Sequence, residues 1–90
     1  MKIALDYDGT YTADPALWDA FIASAKSRGH TVIIVSCRYD TPENREETLV
    51  PGCSAILCNG SAKRWFCEDR RGCKFDIWID DLPQTILEGI

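Results

Sequence analysis

No apolar run in this sequence comes near the roughly 20 residues needed to cross a bilayer. No apolar core sits at the N-terminus either, because Asp6 and Asp8 fall there instead. Neither a membrane span nor a signal peptide is expected, and the expected location is cytoplasmic. Histidine is nearly absent, His30 being the single one. The five cysteines (Cys37, Cys53, Cys58, Cys67 and Cys73) contain no Cys-x-x-Cys pair. Structural zinc needs tighter spacing than that. An odd count without an export signal also disfavours a disulfide framework, so the thiols are read as buried or incidental. Excess basic charge is lacking too: 14 acidic residues against 10 basic ones leave a net charge of −4. That argues against a broad nucleic-acid-binding face, while leaving room for a local basic patch. What is present is ordinary for a globular chain, with 46% hydrophobic residues. Ninety residues make one small domain, 1–90, burying about 60–65% of its unfolded surface.

Apolar periodicity switches repeatedly along the chain. KIALD reads as a short buried strand. Asp14-Pro15 opens a helix, with Leu17, Phe21, Ile22 and Ala25 at helical spacing to about Ser27. TVIIVS, residues 31–36, is a continuous β-branched strand of the kind covered on both faces. Thr41-Pro42 opens a second helix to about Leu49, and Ser54 to Leu57 is a third strand. A third helix spans Ser61 to about Arg70, a fourth strand Phe75 to Ile79, and a last helix starts at Leu82-Pro83. Such alternation predicts right-handed βαβ units and an α/β fold: a three-layer α/β/α, Rossmann-like sandwich around a parallel sheet. Ligands of these sheets sit at the carboxyl ends of the strands. Asp6, Asp8, Ser36, Cys37, Arg38, Cys58, Asn59, Asp80 and Asp81 all fall just there.

Four stretches on that edge carry chemistry. In DYDGT, Asp6 and Asp8 are two residues apart at a strand end, which turns both carboxylates to one side. Like charges so placed need a cation or a proton between them; the bland account is an Asx turn leaving the strand. In IVSCR, the Ser36 hydroxyl and the amides around Cys37 could hold a phosphoryl oxygen, or Ser36 could merely cap a turn. In NGSAKR, Lys63 opposes the helix dipole and so suggests an anionic partner, with Arg64 as the alternative bearer of that role. In WIDD, Asp80 and Asp81 could complete a Mg2+ site with Asp6, Asp81 doubling as an N-cap.

The order DYDGT, VSCR, a lysine and then IDD resembles the haloacid dehalogenase superfamily of phosphohydrolases, over nearly the whole chain. The resemblance implies Asp6 as nucleophile, forming an aspartyl-phosphate, and Asp8 as general acid and base. It implies phosphate binding by Ser36 and Cys37, with Lys63 steadying nucleophile and phosphate together. Mg2+ would be held by Asp6, Asp80 and Asp8, the last through its main-chain carbonyl, with Thr10, Arg38 and Asp81 in support. An acid protonated near neutral pH needs a raised pKa, which burial beside Asp6 would give Asp8. The expected activity is a Mg2+-dependent phosphatase.

The chain also departs from that family's pattern. Asp14 follows Thr10 too closely for a β-hairpin flap, and no insert is long enough for a cap domain. One helix follows the acidic pair, so a short sheet of about four strands in the order 3-2-1-4 is expected. An open, capless site suits a large or tethered phosphorylated substrate, or a homodimer whose second copy serves as lid. Two rivals remain: a non-catalytic phosphate- or metal-binding module, and a nucleic-acid end-processing phosphatase. The second rests on Lys63 to Arg71, KRWFCEDRR, where basic and aromatic residues mix. The preferred account there is that Trp65 and Phe66 split between core and surface, and that Trp18, Trp65 and Trp78 serve packing. A phosphoacceptor receiver domain is disfavoured by motif order, because its acidic pair follows the first strand.

Overall fold

Short apolar strands build the centre of the molecule. In the computed structural model, which describes residues 1–90, Lys2–Asp6 forms β1, Thr31–Ser36 β2, Ser54–Leu57 β3 and Ile77–Ile79 β4. All pairings are parallel and the order is β3-β2-β1-β4. The fold is therefore the expected α/β one, a four-stranded parallel sheet with helices around it. Leu5 and Ile34 are register partners in the middle of the sheet and fully buried. Burial of both faces explains why these strands read as unbroken apolar runs rather than alternating ones.

Alternation along each strand divides the core in two. Ile3, Leu5, Val32 and Ile34 meet Ile22 and Ala25 of α1 (Pro15–Ser27). On the opposite face Ala4, Val35 and Ile56 pack with Cys58 and Cys67. The Asp14 side chain caps α1, accepting the Leu17 N–H at 3.2 Å, and Pro15 occupies the first turn. The core stripe of α1 differs from the expected one by a residue. Leu17 is exposed, and Trp18, Phe21, Ile22 and Ala25 form the i, i+3, i+4, i+7 set that packs inward.

Three more boundaries differ from the sequence reading. The helix expected over residues 61–70 is α3 (Lys63–Trp65) continuing as a π-helical segment, Phe66–Arg70. The wider turn brings Cys67 fully into the core and lays Arg70 over the Trp65 ring, five residues back. β4 begins at Ile77, not Phe75, because Asp76 exchanges both its backbone and side-chain hydrogen bonds with Lys2 at the sheet margin. Phe75 turns inward against Trp78, ring centroids 5.0 Å apart. The last helix, α4, is one turn, Gln84–Leu87, closed by Gly89 with φ +79°. Between them α2 spans Pro42–Glu47, capped by Thr41, which accepts the Asn44 N–H. A 3-10 turn, Tyr11–Ala13, fills the link where no hairpin fits. No helix is long and apolar enough to cross a membrane, and all five cysteines are free.

Candidate active site

Parallel pairing aligns four strand ends, and the register fixes what stands at each. Asp6 closes β1 beside Val35, Ser36 closes β2 beside Leu57, and Asp80 follows β4 directly. A cleft of about 210 Å3 opens there, and Asp6, Asp8, Ser36, Cys37, Arg38, Lys63 and Asp80 all line it. Drug-sized ligands need roughly 300 Å3 or more. A cleft of this size would enclose only part of such a ligand.

Lys63 occupies the floor. Its Nζ lies 2.7 Å from Asp6 Oδ1 and 2.5 Å from Asp80 Oδ2. The three side chains are 4%, 7% and 2% exposed, so this is a buried charge group. Burial alone would drive the lysine toward neutrality, but the two carboxylates outweigh it and its pKa is raised. Between the two candidates for the third motif, the structure places Lys63 in the cleft, whereas Arg64 points away and pairs with Glu68 at 3.0 Å.

The other carboxylate oxygen of Asp6 faces a second acid. Thr10 Oγ1 lies 3.0 Å from Asp6 Oδ2 and 3.0 Å from Asp81 Oδ1 while accepting the Asp81 N–H. Its single proton can serve only one of those oxygens. Desolvation raises the Asp6 pKa to about 6; Lys63 opposes the shift, and the neighbouring Asp81 and Asp80 add to it. The exposed Asp81 is correspondingly lowered, first by its hydrogen bond with Asp6. Gly9 makes the approach possible. Its φ is +84°, and a Cβ there would collide with the Asp81 carboxylate.

Asp6, Asp80 and Asp81 each bring one oxygen within 4.8 Å of the others. Three carboxylates against one lysine leave an excess of two negative charges, which a divalent cation would balance. Hard oxygen donors of this kind suit Mg2+. This is the side-chain set expected from WIDD and DYDGT, Asp80 and Asp81 with Asp6; Asp8 was expected to contribute only its main-chain carbonyl. Asp80 keeps its place in the group while its Oδ1 accepts the Leu82 N–H and closes the turn; Asp81, expected to double as a cap, caps nothing.

Asp8 is held at the cleft wall by Arg38. The guanidinium binds it in bidentate fashion, Nε to Oδ2 and Nη2 to Oδ1, both at 2.8 Å. Arg38 Nη1 also reaches Glu47 Oε2 at 2.6 Å and Asn44 Oδ1 at 3.1 Å, and its carbon lies 5.3 Å from the Tyr7 ring centroid. The expected rise in the Asp8 pKa is therefore corrected: Arg38 lowers it, and Asp6 is the raised member of the pair. Ser36 is buried and its Oγ accepts the Arg38 N–H at 3.1 Å. Cys37 is half-buried with its thiol against Ser61 O, and desolvation raises its pKa.

Every residue expected at the site thus lies at this edge, with Thr10 and Asp81 in the acidic cluster beside the cleft. Asn44 and Glu47 were not foreseen. They anchor Arg38 from α2, and a polar helix face gives no hint of which charge it will meet. Leu82, Thr85 and Ile90, which also line the cleft, carry no chemical signature in the sequence. No family model, curated protein or solved structure matches this chain.

Proposed function

We propose that this chain is a Mg2+-dependent phosphohydrolase of the haloacid dehalogenase type, working through an aspartyl-phosphate on Asp6. The observation that carries the reading is the buried Lys63 ammonium between Asp6 and Asp80, at the ends of adjacent strands. A lysine so placed fixes the nucleophile's orientation and presents positive charge where a phosphoryl group would arrive. When bound, Mg2+ would neutralise both the nucleophile and the substrate dianion, held by Asp6, Asp80, Asp81 and the Asp8 carbonyl.

The chain's own groups supply the remaining steps. An Asp6 oxygen attacks phosphorus, and the bond from phosphorus to the leaving oxygen breaks. Ser36 and the amides beside it, with Lys63, receive the equatorial charge. Once displaced from Arg38, Asp8 takes up a proton from solvent and gives it to the leaving alkoxide, then takes one from the water that cleaves the aspartyl-phosphate and releases inorganic phosphate. Asp8 must leave Arg38 to do so, and phosphoryl oxygens are a good competitor for a planar guanidinium.

The test is hydrolysis of p-nitrophenyl phosphate with Mg2+, by the natural chain and by Asp6→Asn. Metal-dependent turnover that falls at least about a thousandfold in the variant supports the reading. A second reading, a phosphate- or metal-binding module without turnover, is favoured by the Arg38 clamp on Asp8. Mg2+ binding with no turnover in either protein would select it.

A further inference from the structure

We infer that the group carrying the phosphate is the end of a single-stranded nucleic acid, which runs from the cleft across the Asn59–Ser61 loop onto Trp65, Arg70 and Arg71. The inference deepens the phosphohydrolase reading and rests on it for chemistry, though not for binding.

Charge is the first argument. Residues 63–74 hold Lys63, Arg64, Arg70, Arg71 and Lys74 against Glu68 and Asp69, a net of +3 within a chain of −4. Leaving out the buried Lys63, the segment still carries +2 in an acidic chain. Lys63 is consumed by the buried acids and Arg64 by Glu68. Arg70, Arg71 and Lys74 enter none of the chain's ion pairs.

Aromatic exposure is the second. Phe66 packs against the core as the sequence suggested, but Trp65 is 48% exposed and so is not a packing residue. Arg70 covers Trp65 at 5.4 Å from the ring centroid. Both line a groove of about 440 Å3 with Asn59, Ser61, Phe66 and Arg71. Stacking rings beside guanidinium groups are how single strands are held without base readout.

Continuity with the cleft is the third. The loop between the two hollows rides on the phosphate-side segment: Gly60 N–H bonds Cys37 O at 2.7 Å, and Asn59 N–H bonds Arg38 O at 3.1 Å. Tyr39, 63% exposed, stands beside Gly60, which it flanks together with Ile90. The small open cleft then takes the terminal phosphate alone, and the strand supplies the remaining affinity.

Binding of a fluorescent oligothymidylate bearing a terminal phosphate, to the turnover-deficient Asp6→Asn chain at 50 and 200 mM salt, tests this. Adding Trp65→Ala should weaken binding about 5- to 150-fold, the value of one stacked base. Adding Arg70→Gln with Arg71→Gln should lower the slope of log K against log salt by about 1.4, two phosphate contacts on a single strand. Trp65→Ala alone, in the active chain, should leave p-nitrophenyl phosphate turnover unchanged. No binding at 50 mM salt, or binding indifferent to both sets of changes, overturns the inference. So does tighter binding of a phosphopeptide of equal charge. Oligonucleotide binding without p-nitrophenyl phosphate turnover would instead remove the hydrolase reading and leave this one standing.

Discussion

Two carboxylate–cation groups line one cleft, one at its floor and one at its wall, and they are built in opposite ways. Lys63 with Asp6 and Asp80 is almost wholly buried, whereas Arg38 binds Asp8 and Glu47 that are 54% and 59% exposed. A buried charge cannot find water when its partner leaves, so the Lys63 group is locked together by the cost of separation. The Arg38 group can exchange protein oxygens for water or phosphate at little cost. Under the proposed chemistry the division is apt. The nucleophile must be held still, while the acid and base must come and go. Burial, more than the number of ion pairs, sets which group moves.

Lys63→Met should break the comparison most severely. It strands Asp6 and Asp80 in the interior and should cost roughly 3–5 kcal/mol of stability, read by urea unfolding. Mg2+ should recover more stability in this variant than in the natural chain, because the cation would then be the one positive charge among three acids. An unchanged unfolding midpoint would mean that the acids reach solvent.

The next effect is on pH. The native state holds the Asp6 proton up to about 6, against 3.8 for the free side chain. A carboxyl with a raised folded pKa contributes stability that is full below about 3.8 and lost as pH rises through about 6. The metal-free chain should therefore lose on the order of 1–3 kcal/mol from this group between pH 4 and 7. Saturating Mg2+ should flatten the loss. Asp8, whose pKa is lowered, works the other way: its contribution is present above 3.8 and disappears as pH falls below its folded value. Melting temperatures across this range, with and without Mg2+, separate the two groups.

How far the chain could be read in advance follows the same physical division. Parallel order and strand ends were legible because β-branched runs and Asp-Gly, Asp14-Pro15 and Pro51-Gly52 breaks are local signals. Asp6 and Asp80 were legible because the topology carries polar residues at strand ends to one edge, and Lys63 because a lysine opposing the helix dipole asks for an anionic partner. The state of Asp8 was not, because it depends on Arg38 reaching across from β2 and being braced by Glu47 on α2. The π-helical turn after Trp65 was equally hidden, since residues 61–70 have an ordinary helical pattern. Hence the exposure of Trp65 could only be found in three dimensions.

Arg38→Ala should cost stability by no more than about 1 kcal/mol, because its partners are well exposed and water replaces the lost contacts. Its effect should appear in kinetics instead. If phosphate displaces Asp8 from Arg38, the variant should bind substrate less well, raising KM, while the freed Asp8 still protonates the leaving group and kcat falls less. If Arg38 only holds Asp8 in place, kcat should fall with KM unchanged. Glu47→Gln, the mildest change, should shift stability by under about 0.5 kcal/mol yet loosen Arg38 from α2. A small drop in KM there, with kcat kept, would show that Glu47 competes with the substrate for the same guanidinium, and that the mobile wall is tuned from a helix outside the cleft.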